Sequence, residues 1–128
     1  MKRRLLEIPV VAMLIMTLTV PVFAASKTLG VSEIDQNKTK WCWASCSEMI
    51  GKYYNSGSNR DQYAIVKKIK GNTDNQTGTI TNICDAIKYA SVDSVTFTSK
   101  STALSFNSCK TEIDDGDPFV VWLQGQNG

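Results

Sequence analysis

Cys42, Cys46, Met49, Ile50 and Tyr53 step along the chain by four, three, one and three residues, which places all five on one helical face. No other pattern in the sequence constrains the fold as tightly. It predicts a core helix over residues 42–54, stopped by Asn55-Ser56-Gly57. Ahead of it, residues 25–40 are polar and carry Gly30, and they read as an extended or loop-like approach. Cys42 sits where that approach becomes helix.

Similar steps mark three further helices. Tyr63, Ile65, Val66 and Ile69 predict a helix over residues 61–70 that ends on Gly71-Asn72. A polar, turn-rich loop follows over residues 71–78. Ile80, Ile83, Cys84, Ile87 and Ala90 define a third helix. The fourth is expected over residues 106–115, with Ser105 as N-cap, Gly116 as stop, and Phe106, Cys109 and Ile113 on a shared face.

Two segments read as strands. Val95 and Phe97 alternate with Thr96 and Thr98. After the Asp117-Pro118 turn, Phe119 to Leu123 is a continuous apolar run of buried-strand length. Such a strand wants neighbours on both sides, and two strands alone are not independently stable. The sequence therefore predicts an α+β fold: a helical half joined to the first strands of an incomplete antiparallel β half. The chain reads as cut short at its C-terminus, and the alternative is a small two-stranded α+β domain.

The N-terminus carries a different signal. Lys2, Arg3 and Arg4 precede an apolar run from Ile8 to Phe23, and Val22-Phe23-Ala24 offers small residues for cleavage. That is the layout of a secretory signal peptide over residues 1–24, with residues 25–128 as one mature domain. The apolar run holds Pro9 and Pro21 and is short of the roughly 20 residues that span a bilayer, so no membrane anchor is expected after cleavage. The full chain has 14 basic and 12 acidic residues; the leader takes three basic residues and Glu7, leaving 11 of each. No basic run remains for nucleic acid. The protein reads as secreted.

Four cysteines and no histidine bound the chemistry. No Cys-x-x-Cys spacing occurs, so neither a metal nor another cofactor is expected. Asp114, Asp115 and Asp117 lack the alternating ligands of a calcium loop and read as a solvated turn. Cys46, Cys84 and Cys109 each fall on an apolar helical face, as buried thiols or with two of them bridged. The pairing stays open.

Cys42 is different because of its position. The first turn of a helix has unpaired N–H groups and a partial positive charge, and both favour a thiolate. A thiolate there is predisposed to attack carbonyl carbon. Gln36, six residues earlier, has a side-chain NH₂ that can share an oxyanion with the Cys42 N–H. Cys46 lies one turn deeper, where the dipole has faded. Trp41 and Trp43 read as core residues rather than as cleft walls.

Gln36 followed six residues later by Cys42-Trp43-Ala44 resembles the papain superfamily of cysteine peptidases. With Trp41 in front and Cys46-Ser47-Glu48-Met49-Ile50-Gly51-Lys52-Tyr53-Tyr54 behind, it is most similar to compact bacterial members of the staphopain and avirulence-protein types. The likeness covers residues 36–54; the later Gly-Asp-Pro turn and apolar strand match only loosely. The resemblance implies a papain-like fold, Cys42 as nucleophile, Gln36 as oxyanion donor, Trp43 and Ala44 fixing the helix start, and peptide or protein as substrate. It also implies a catalytic histidine opening a later strand, which these residues do not supply. The isolated chain is therefore expected to be inactive and marginally folded. An acyltransferase or deamidase using the same thiol, and a non-catalytic binding module, are the alternatives.

Overall fold

Within residues 26–123, the part described by this computed structural model, the chain forms four helices: α1 (Cys42–Tyr54), α2 (Gln62–Lys70), α3 (Ile80–Ala90) and α4 (Phe106–Asp115). Each lies where the apolar periodicity put it. Asp61 caps α2 through the Ala64 N–H at 2.9 Å, and Gly71 closes it in the left-handed conformation. Thr79 and Asn82 form a reciprocal capping box at the start of α3. Ser105 and Gly116 cap α4 as expected. The signal-peptide segment 1–24 lies outside the described residues.

The β half does not exist among the described residues. No strand forms there, so the expected α+β, papain-like architecture with its first antiparallel strands is overturned in favour of an all-helical one. The alternation at residues 95–98 is nonetheless real. Val95 and Phe97 are half-buried against the helical core, while Thr96 and Thr98 face solvent. Likewise Pro118 is buried and Val120 packs on the core. Among the described residues the backbone of these segments joins no ladder. Period-two patterning here records an extended chain lying on helices, not a sheet.

The core sits between α1, α2 and α3, which pack on one another. It comprises Trp41, Trp43, Ala44, Ile50, Ile65, Val66, Ile83, Ala86, Ile87 and Ala90. This corrects the expected face of α1. Trp43, Ala44, Ser45, Ser47, Glu48, Ile50 and Gly51 are its buried residues, whereas Cys42 is exposed and Cys46, Met49 and Tyr53 are only half-buried. Small residues make the true seam: a Cβ on Gly51 would stand 2.4 Å from Ala90 Cβ, so α1 and α3 touch nearly backbone to backbone. Ser47 satisfies its hydroxyl within α1 by donating to the Trp43 carbonyl at 2.7 Å.

The C-terminal end of α3 is closed by the α1–α2 loop. Ser58 donates to the Ala90 carbonyl at 2.6 Å, and Arg60 donates to the Tyr89 carbonyl at 3.0 Å while lying over the Tyr89 ring. The chain then turns through Val92 and Asp93, both at positive φ. By contrast α4 has no buried residue, and Phe106 is 82% exposed. Two tyrosines at the end of α1 hold the turn that follows it: Tyr53 donates to the Gly116 carbonyl at 2.8 Å and Tyr54 to Asp117 at 2.9 Å. No helix among the described residues is long and apolar enough to cross a membrane.

Candidate active site

Cys42 is the first residue of α1, and its side chain is exposed. Trp41, at the N-cap position, makes no side-chain capping bond, and the first turn carries no acidic residue. The N–H groups of that turn are left without a side-chain acceptor. An anion at the Cys42 sulfur therefore meets the positive end of the helix with nothing competing for it.

What fixes this helix start is the loop between α2 and α3. The Trp41 indole donates to the Asp74 carbonyl at 2.9 Å, and the Trp43 indole donates to the Gln76 carbonyl at 3.0 Å. Gly78 completes the bracket, since a Cβ there would come within 2.5 Å of the Trp43 ring. Both tryptophans are buried, at 0% and 1% exposure, which places them in the core and not in a cleft wall. Tyr63 stacks edge-on against Trp41, and the Lys38 ammonium lies 4.6 Å from the centre of the Trp41 ring.

The approach loop is fastened almost residue by residue. Ser45 donates to the Ile34 carbonyl. Gln62 donates to the Asp35 carbonyl and accepts from the Asn37 N–H, both at 2.8 Å. Lys38 donates to the Thr73 carbonyl, and its own carbonyl accepts from the Trp41 N–H at 3.0 Å. Asn75 accepts from the Lys40 N–H at 2.9 Å and donates to the Thr39 hydroxyl at 2.8 Å. Between Ile34 and Trp41, Gln36 alone makes no hydrogen bond to any described residue, and it is exposed. Its neighbours hold the backbone while its amide is left unengaged.

Sequence reasoning placed Cys42 and Gln36 at this end of the molecule but missed the residues that hold them. Gln62 was not singled out within the 61–70 helix, and Asn75 fell in a stretch read as a polar loop. The available signal was the amide-rich composition of residues 72–76, since Asn and Gln can satisfy a neighbouring loop's backbone.

The other thiols are less suited to attack. All four cysteines are free, and Cys46, Cys84 and Cys109 are half-buried. Burial, followed by the neighbouring Cys42, pushes the Cys46 thiol up, against a smaller lowering by a backbone hydrogen bond. Burial and then the Asp85 carboxylate push the Cys84 thiol up. Cys109 does not join a core, because α4 buries nothing. Cys46 instead lines an apolar groove of about 370 Å³ formed with Leu29, Met49, Ile113, Phe119 and Val121. Comparison with family models, with curated proteins and with solved structures finds no match.

Proposed function

We propose that Cys42 is the nucleophile of a secreted cysteine peptidase whose site motif is similar to that of papain-like enzymes. The supporting observation is the arrangement at the start of α1. An exposed thiol stands at an uncapped helix N-terminus, beside a loop fastened on both sides of one unengaged glutamine. In this reading the sulfur attacks the carbonyl carbon of a peptide bond, and the carbonyl electrons move to oxygen. The Cys42 N–H and the Gln36 amide donate to that oxyanion, and removing one such donor costs about 3–4 kcal/mol in the transition state. Collapse expels the amine and leaves an acyl-thioester, which water then hydrolyses.

That cycle needs a group to take the thiol proton and return it to the leaving amine. The sequence contains no histidine to fill that role. The first half of the chemistry can still be tested directly. A peptidyl epoxysuccinate should alkylate Cys42 at least about tenfold faster than Cys46, Cys84 or Cys109, because its sulfur is exposed at a helix start and the other three are half-buried. Peptide mapping reads the site of the adduct. Equal labelling of Cys42→Ala and parent protein would remove the nucleophile assignment.

A further inference from the structure

Gln62 is 1% exposed, at the first turn of α2, and its carboxamide does one thing. Its oxygen accepts from the Asn37 N–H and its nitrogen donates to the Asp35 carbonyl, each at 2.8 Å. Those two backbone groups belong to the peptide units immediately before and after Gln36. A single buried amide thus grips both peptide planes that flank Gln36. Fixing both planes fixes φ and ψ of the residue between them, and with them the direction of its Cα–Cβ bond. The Gln36 side chain itself makes no bond to any described residue, so this clamp orients its Cα–Cβ bond and leaves the outer torsions free to turn the amide toward a bound oxyanion.

We infer that Gln62 is a positioning residue for the oxyanion site, holding Gln36 ready to donate without touching substrate. The inference rests on the proposed roles of Cys42 and Gln36. Donors placed before the charge develops need no reorganisation during reaction, and a displacement of about 1 Å can cost on the order of 100-fold.

Two reagents separate the oxyanion site from thiol reactivity in the chain as it stands. With p-nitrophenyl acetate, the Cys42 thiolate forms the S–C bond, the carbonyl passes through an oxyanion, and p-nitrophenolate leaves without needing a proton. With iodoacetamide, the S–C bond forms as iodide departs, and no oxyanion appears. Adducts are counted at Cys42 by peptide mapping, and the measured quantity is the ratio of acylation to alkylation rate. Gln36→Ala should lower that ratio by about 100–1,000-fold. Gln62→Leu should lower it by about 10–100-fold with alkylation unchanged. Should Gln62→Leu fail to fold by circular dichroism, Gln62→Glu is the second variant. Its carboxyl can donate to Asp35 only when protonated, so the ratio should recover as pH falls, a dependence that a purely structural role would not give. A folded Gln62 variant with the parent ratio, beside a Gln36→Ala variant that loses it, overturns the positioning role and leaves the oxyanion assignment intact. An unchanged ratio in Gln36→Ala overturns both.

Discussion

α1 and α4 invert the usual relation between a helix's ends and its importance. α4 has a Ser105 N-cap bond, a left-handed Gly116 C-cap and no buried residue. α1 has no side-chain N-cap and buries seven residues. Caps are worth about 1 kcal/mol each and specify where a helix starts. Tertiary burial supplies most of a helix's stability in a protein. The well-capped helix is therefore the peripheral one, and the uncapped helix carries both the core and the candidate nucleophile.

The strongest challenge to this contrast is Trp43→Ala. It removes a fully buried indole and the bond to Gln76, and should cost about 3–5 kcal/mol. For a small domain that is enough to abolish a cooperative thermal transition. Next comes Gly51→Ala, which forces α1 from α3 and should cost about 1–3 kcal/mol by urea unfolding. A value near zero would mean that α1 and α3 stand far enough apart at Gly51 to admit a methyl group.

Tyr54→Phe tests the junction between the two regions. Losing the bond to Asp117 should cost about 0.5–1.5 kcal/mol. The junction also carries a pH signature. Burial, then the hydrogen bond and charge of Asp117, push the Tyr54 phenol above its ordinary value of 10.0. The folded protein then holds this proton more tightly than the unfolded chain does. Its contribution is complete below about pH 10 and is lost as pH rises beyond it. Alkaline melting curves of parent and Tyr54→Phe should converge. Phe106→Ser on α4 should have the smallest effect, within about 0.5 kcal/mol either way, because that ring is already in solvent.

The helices were legible because their signals are local. Apolar steps, Asp61, Ser105, Gly71 and Gly116 act over a few residues, and they put all four elements in the right places. The packing was less legible. Reading α1 by hydrophobicity favoured Cys42, Cys46 and Met49, whereas the seam uses Ala44, Ser47 and Gly51, whose value is small volume. Strands failed for a related reason: residues 95–98 are patterned for one-sided burial and 119–123 form a continuous apolar run of which Val121, Trp122 and Leu123 are exposed, and pattern alone does not name the partner. At the candidate site, the place of Cys42 at a helix start and of Gln36 on the loop before it was readable from the sequence. Gln62 was not, since its role depends on a contact 25 residues away in sequence.

The meeting of Gly51 with Ala90 also bears on how such a chain diverges. There is room for one methyl group between these two positions, and Ala90 already occupies it. A lineage that gains a side chain at 51 must shed the one at 90, or let the interhelical gap widen. Drift at either site is therefore channelled by the other, and descendants should change the two together or keep both.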